Sequence, residues 1–185
     1  QTAVRAANAG RLVLATVHAG VATGAVETML NFGVNPHFLA SALRGVIAQR
    51  LIRTLNPEKR LKVDLGGYDD LFEPIRDLHR GEPEIYAADT KAPNEGYADR
   101  TGVFEIFRVG ADSRRLINDA ADAATLRRKA IDEGMLDFRR AALLKVADGS
   151  TSLEEIFRVI PFEFLQGEEE AGAQALSDHP EEVPA

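Results

Sequence analysis

The sequence contains no cysteine, which excludes disulfides and thiolate metal sites and favours a reducing compartment. It has no apolar run near the roughly 18 residues that a membrane-spanning helix needs. The amino end lacks the ordered charged start, apolar stretch and cleavage site of a signal peptide. These absences indicate a domain that is stabilised by apolar packing.

Positive charge is also scarce, since 22 Lys and Arg face 29 Asp and Glu for a net charge of -7. Most of the excess lies in residues 167–185, which contain acidic residues but no Lys or Arg. The rest of the chain is therefore almost neutral, which gives no electrostatic argument for binding nucleic acid. The acidic tail is poor in large apolar residues, and we expect it to be disordered and available to a partner.

Three motifs that would identify an enzyme are missing. The sequence has no G-x-x-x-x-G-K-[ST] phosphate loop, no G-x-G-x-x-G dinucleotide motif and no G-x-S-x-G nucleophile elbow. Its four histidines are not spaced as metal ligands, so no metal site is expected. The residues alone therefore do not name a reaction.

The first third of the chain predicts alternating helices and strands. Residues 2–9 and 21–32 have helical composition, and Pro36 opens a third helix predicted over 36–51. Between the first two helices, residues 11–17 form a continuous apolar run that predicts a strand covered on both faces, as in a parallel sheet. The chain is expected to become extended from Gln49 to Leu55. This alternation is typical of an α/β fold.

Later segments change character. Short strand 60–65, helix 68–81 and loop 82–96 are expected to precede a strand over 100–109. The side chains of that strand alternate, with Val103, Glu105 and Phe107 on one face. After Gly110 the sequence predicts only helices, near 112–121, 123–133, 137–148 and 152–160. Ser152 and Glu155 have the spacing of a capping box at the start of the last one.

Two residues are candidates for chemistry. His18 follows the apolar run in "GRLVLATVHAG", at the carboxyl end of the predicted strand, where open α/β sheets bind ligands. It is either a structural residue that caps a core strand or a residue at a reaction site, and the residues alone favour the structural role. Glu105 is either a catalytic base or an exposed side chain at a sheet edge, and edge exposure is favoured.

Several blocks resemble one known family, in the right order and over about residues 3–160. They are "AANAGRLVLATVHAG", "GAVETMLNFGVNPHFLASALRGVIAQRLIRTLNP", "GYADRTGVFEIFRV" and "LRRKAIDEGMLDFRRAALLKVADGSTSLEEIFRV". These blocks resemble the secretion-ATPase superfamily, and in particular the bacterial hexameric ATPases of type II secretion and type IV pilus assembly. The third block is similar to that family's GYxGRTGxxE stretch.

The resemblance implies an α/β fold made of four segments. Residues 1–55 would be the C-terminal part of a RecA-like ATPase core, and residues 56–99 an insertion subdomain at the place of the family's zinc-binding module. Residues 100–166 would form a C-terminal strand with a helical subdomain, and residues 167–185 the acidic disordered tail.

The resemblance also assigns candidate site residues. The first block corresponds to the family's histidine box, which lies close to bound nucleotide. His18 falls on the second histidine of the box, so a catalytic role near the γ-phosphate is implied and the preference for a structural role is reversed. The first histidine falls at Arg11. Arg11 and Arg50, the latter within "QRL", are the candidates for binding the nucleotide.

Two departures from the family limit what this chain can do. The family's phosphate loop and acidic boxes lie upstream of the matched region, so ATP and Mg would be bound mainly there. Because the chain begins with Gln1 inside a predicted helix, we expect a fragment that does not hydrolyse ATP alone.

The second departure concerns zinc. The four cysteines of the family's zinc module fall at Asn56, Lys59, Asp89 and Ala92, which cannot form the usual tetrahedral site, so no zinc is expected. The subdomain would then be held by apolar side chains, namely Leu65, Tyr68, Leu71, Phe72, Ile75 and Leu78.

Two functions of different class follow. The first is the C-terminal half of a hexameric motor ATPase, cytoplasmic and peripheral to the inner membrane, which acts on membrane platform proteins in pilus assembly or protein secretion. The alternative is a non-catalytic interaction or regulatory module derived from such an ATPase. A pilus-retraction ATPase fits less well, because residues 56–96 occupy the place of the insertion that such proteins lack.

Overall fold

The computed structural model describes residues 1–64, 66, 69–161 and 164–165. The chain divides into unit 1, Gln1–Gln49 with Val103–Asp137, and unit 2, Arg50–Gly102 with Phe138–Ala185. It mixes helices and strands, in agreement with the α/β class at that level. In the described ranges, no helix has both the length and the apolar character needed to cross a membrane.

The described residues form seven α-helices, four strands and two short 3₁₀ helices. The α-helices are α1 (Thr2–Asn8), α2 (Gly24–Asn31), α3 (Pro36–Ala42), α4 (Ala111–Asn118), α5 (Ala123–Asp132), α6 (Phe138–Ala147) and α7 (Leu153–Val159). The strands are β1 (Gly45–Leu55), β2 (Arg60–Lys62), β3 (Tyr86–Ala88) and β4 (Tyr97–Arg108). The 3₁₀ helices are Asp69–Ile75 and Pro93–Gly96.

Unit 1 is built mainly from helices around one apolar cluster. Helix α3 packs against α1 and α4, and α5 packs against α2 and α4. The buried members of the cluster come from both chain segments of the unit: Ala22, Val26, Val34, Leu39, Ala40, Phe107, Val109, Ile117, Leu126, Ala130 and Met135. Burial of this apolar surface is the main favourable contribution to folding of the unit.

Strands β1 and β4 pair in a two-stranded sheet. The Val109 N–H donates to the Arg44 carbonyl (3.1 Å), and the Asn56 N–H donates to the Gly96 carbonyl (2.9 Å), so the strands run antiparallel. At Gly45 the backbones approach so closely that an added Cβ would lie 3.0 Å from the Phe107 carbonyl oxygen. The alternation predicted for β4 is confirmed, because Val103, Glu105 and Phe107 are buried.

Unit 2 contains a second small sheet. Strands β2 and β3 pair antiparallel, with Arg60 opposite Ala88 and Lys62 opposite Tyr86. The 3₁₀ helix Asp69–Ile75 packs against α6 and buries Phe72 and Ile75. Of the apolar residues expected to hold this region, Leu71 is half-buried and Leu78 is 47% exposed, whereas Leu65 and Tyr68 lie outside the described residues.

Glu155, on α7, is the buried centre of a polar network in unit 2. Its carboxylate accepts the Arg53 backbone N–H (2.8 Å) and the Arg53 Nε–H (2.9 Å), and it pairs with the Arg158 guanidinium. Burial raises the pKa of Glu155, but the Arg158 and Arg53 donors outweigh burial and hold this pKa below its ordinary value of 4.5. The network therefore joins β1 to α7 through an ionised carboxylate.

The predicted capping box at α7 is half confirmed. Ser152 is the N-cap, and its hydroxyl accepts the Glu155 N–H (3.3 Å). The Glu155 carboxylate binds the two arginines instead of reaching back to the cap. Tyr97 completes the arrangement, since its hydroxyl lies 2.9 Å from the Ser152 hydroxyl and the Arg53 guanidinium lies 3.9 Å above its ring.

The other expectations fare differently. Helices α1, α2 and α4–α7 form where the sequence predicts them. The helix predicted over 36–51 is wrong beyond Ala42, because β1 begins at Gly45 and a β-branched pair follows. The helix predicted over 68–81 is only Asp69–Ile75, since Pro74 has no N–H to continue it. The loop predicted over 82–96 contains β3 and Pro93–Gly96.

We expect Glu155→Gln to lower the free energy of unfolding of unit 2 by about 3 kcal/mol at neutral pH, the scale for removing one partner of a buried ion pair. Because the folded pKa is lowered, this contribution is complete above the unfolded value near 4.5 and is lost as pH falls through the folded pKa. The difference between wild type and variant should therefore narrow in acid.

Urea titrations followed by tyrosine fluorescence test this expectation. All three tyrosines of the chain lie between residues 50 and 102, so the signal reports on unit 2. Glu154→Gln, which changes an exposed neighbour on the same helix, is the matched control and should stay within about 0.5 kcal/mol of wild type. A difference for Glu155→Gln that is the same at every pH would contradict the assignment.

Candidate functional site

Residues 11–20 of unit 1, here named the His18 segment, link α1 to the turn before α2. They form neither helix nor strand. The Arg11 N–H still donates to the Ala6 carbonyl (3.2 Å), which completes the end of α1. From there the segment runs to Ala22 and Thr23, both buried against unit 1. The segment is thus held at one end by α1 and at the other by the core of the unit.

The strand predicted over 11–17 is wrong for this structure. Leu12 and Leu14 are 90% and 89% exposed, so neither face of the run is covered. A strand needs a neighbour to pair its N–H and C=O groups. In the described part of the chain, β1 pairs with β4, and the run does not join their sheet. The run therefore has the apolar, β-branched composition of a strand, but no described strand pairs with it.

The three candidate residues are placed separately. The Arg11 and His18 side chains are exposed on the His18 segment, and neither hydrogen-bonds to a residue that the structure describes. Arg50 belongs to unit 2, where its guanidinium carbon lies 5.8 Å from the Phe138 ring centroid. Arg11 and His18 thus offer N–H donors to solvent, as groups that meet phosphate oxygens do.

Glu105, expected at an exposed sheet edge, is instead fully buried in unit 1. Its Oε2 accepts the Ala22 N–H (2.8 Å), and its Oε1 accepts from Arg127 Nη1 (3.1 Å). Arg127 Nη2 also lies 3.7 Å from Asp137. Glu105 lies on the same face of β4 as Val103 and Phe107, which are also buried, so the expected exposure is wrong.

The four positions to which the resemblance assigns zinc-module cysteines, Asn56, Lys59, Asp89 and Ala92, form two similar turns of unit 2. At the first, the Lys59 N–H donates to the Asn56 carbonyl (3.0 Å), and the Asn56 Oδ1 accepts the N–H two residues on (3.0 Å). At the second, the Ala92 N–H donates to the Asp89 carbonyl (2.9 Å), and the Asp89 Oδ1 again accepts the N–H two residues on (3.0 Å). Both are Asx-turns.

Backbone contacts join the two turns. The Asp89 N–H donates to the Lys59 carbonyl (3.3 Å). Gly96, in the left-handed region at φ 79°, packs so closely that an added Cβ would lie 2.6 Å from the Asp89 nitrogen. Hydrogen bonds and a glycine contact therefore hold the two turns together.

The donor chemistry of the described residues limits what they can bind. They contain no group of three His, Asp or Glu side chains placed to hold a metal ion. The exposed Arg11 and His18 fit phosphate oxygens by charge and hydrogen bonding, but a pair of side chains without a cradle of backbone N–H groups does not hold a triphosphate. The His18 segment can therefore contribute to a nucleotide site without forming all of it.

Comparisons with known proteins agree on one family. The family model for "Type II/IV secretion system protein" matches residues 1–158. The type II secretion system protein HxcR of Pseudomonas aeruginosa is 38% identical over 159 residues, covering 86% of this chain and 30% of that protein. The type II secretion system ATPase E of Vibrio cholerae is 36% identical over 162 residues, covering 86% and 31%. The type IV pilus assembly ATPase TfpB of Acinetobacter baylyi is 32% identical over 162 residues, covering 86% and 28%.

These matches confirm the resemblance read from the ordered sequence blocks. The chain spans between 28% and 31% of the length of these three relatives. The family match extends from α1 to the end of α7, apart from its last residue, and includes the His18 segment, the two Asx-turns and both buried glutamates. The chain belongs to the type II/IV secretion system protein family.

Proposed function

We propose that this chain is the C-terminal part of a hexameric motor ATPase that powers type IV pilus assembly or type II protein secretion. The observation that carries the proposal is the family match over residues 1–158, together with relatives named as ATPases of both systems. In this proposal the ring is cytoplasmic, peripheral to the inner membrane, and moves platform proteins there. We also propose that the ATPase core ends at residue 55, the insertion subdomain at 99 and the helical subdomain at 166.

The proposal gives the His18 segment a role in ATP hydrolysis. His18 would act beside the γ-phosphate, where a neutral imidazole donates one hydrogen bond and a charged one donates two. Arg11 and Arg50 would contact phosphate or a neighbouring subunit. Mg would neutralise phosphate charge when bound, and we place it with the phosphate loop in the remainder of the parent protein.

A non-catalytic module is the second candidate, and two observations favour it. Arg11 stands where the resemblance puts the first histidine of the family's box, so that position cannot transfer a proton as an imidazole does. The zinc-site cysteines are also replaced. The upstream coding sequence separates the candidates, because a phosphate loop and acidic box there would favour the motor.

We expect purified chain to contain well below one zinc atom per molecule by elemental analysis, since the turn side chains bond to backbone N–H groups.

We also expect Asp89→Ala to lower the free energy of unfolding of unit 2 by about 1 kcal/mol, the scale of one net hydrogen bond. Asp77→Ala, which removes an exposed carboxylate, is the matched control. Stoichiometric zinc, or equal stability of Asp89→Ala and wild type, would contradict these expectations.

We expect His18→Ala in the parent ATPase to lower kcat at least tenfold, the low end for losing a group that acts in the chemical step, with a smaller change in ATP affinity. His37→Ala is the control, since His37 is another exposed histidine of unit 1. Equal rates for His18→Ala and wild type would assign His18 a structural role. The 185-residue chain alone is expected to show no turnover above its own His18→Ala variant.

A further inference from the structure

The buried carboxylate of Glu105 holds the turn that follows the His18 segment. Its two oxygens have different partners: one accepts the backbone N–H of Ala22, and the other accepts from the Arg127 guanidinium on α5. Ala22 lies only four residues after His18, and its side chain is fully buried. This hydrogen bond therefore fixes the backbone at Ala22, the point where the chain emerges from the core toward His18.

Arg127 is itself oriented from two sides. Its Nη1 donates to Glu105 and its Nη2 lies 3.7 Å from Asp137, while its side chain is 20% exposed. A planar guanidinium that meets two carboxylates has few alternative orientations. The carboxylate of Glu105 is thus fixed by β4, by α5 and by the end of unit 1 at Asp137.

A buried charge is a costly way to satisfy one backbone N–H, since a neutral acceptor would serve with less desolvation. An ionised acceptor makes the stronger bond, and its bond to Arg127 also links the turn to α5. The two contacts of Glu105 hold the turn at Ala22 in one geometry, although the segment that precedes the turn is exposed. Leu12, Leu14 and His18 on that segment are all exposed.

We propose that Glu105 is a positioning residue, oriented by Arg127, which sets the turn at Gly20–Ala22 and thereby the placement of His18. The inference rests on the proposed function only in assigning His18 a role in turnover. It adds that α5 is mechanically coupled to the His18 segment through one carboxylate. Glu105 would touch neither nucleotide nor the reacting atoms.

The first test uses the 185-residue chain without nucleotide. A glutamine at position 105 has one acceptor and one donor end, so in either orientation a donor would face a donor. We expect Glu105→Gln to speed hydrogen exchange of the Ala22 amide at least about tenfold, because this N–H then faces either an amide NH2 or a neutral oxygen in place of a charged acceptor. The NMR cross-peak of the His18 imidazole should shift as well.

Two further variants make this test specific. Asp112→Asn is the matched control, since it removes an exposed ion pair to Lys129 on the same helix α5 without touching the turn. Arg127→Lys keeps the charge and should change the Ala22 amide less than Arg127→Met does. Unchanged Ala22 exchange and an unchanged His18 signal in a folded Glu105→Gln or Arg127→Met variant would overturn the inference.

The second test measures turnover in the parent ATPase. We expect Glu105→Gln to lower kcat with little change in KM for ATP, and the double variant with His18→Ala to be no slower than His18→Ala alone. Losses that multiply would mean that Glu105 acts independently of His18, which overturns the inference. If His18→Ala retains full activity, the proposed role of His18 in hydrolysis fails, and the amide and imidazole signals still decide whether Glu105 positions the segment.

Discussion

A carboxylate removed from water has to be met by donors, because an unpaired buried charge costs several kcal/mol, a large fraction of the stability of a domain. Among the described residues, each unit contains one fully buried carboxylate, on a strand in unit 1 and on a helix in unit 2. Glu105 on β4 binds the Ala22 N–H, 83 positions away in sequence, and Glu155 on α7 binds Arg53, 102 positions away. Each carboxylate thus joins chain segments that apolar packing alone would bring together less specifically.

Local sequence was enough wherever local forces decide the structure. Gly134 follows α5, Gly149 follows α6 and a serine caps α7, and all of the helices α4–α7 form where predicted. The apolar run at 11–17 shows the limit of such patterns. The composition of the run is typical of a strand, but strand formation depends on a partner strand, which the local sequence does not specify.

The buried glutamates were hidden for a different reason. Alternation placed Glu105 on the same face as Val103 and Phe107, and that face could be the core or an edge. The decision depends on whether a cation and a backbone N–H arrive from elsewhere in the chain. Arg127 and Ala22 supply them in the folded unit. The family's GYxGRTGxxE stretch, which the third sequence block resembles, ends at Glu105, and this was the one available signal that the residue has a special environment.

The contact between Gly96 and Asp89 limits which substitutions this pair of turns can accept. The atoms that a side chain at 96 would strike belong to the backbone of residue 89, at 2.6 Å and 2.9 Å, so no replacement of the Asp89 side chain relieves them. Substitutions at 89 alter one hydrogen bond, which other turn-forming residues can restore over evolutionary time. A side chain at 96 would clash with backbone atoms, and a change of the side chain at 89 does not remove that clash. Position 96 is therefore more strongly constrained to glycine than position 89 is to aspartate.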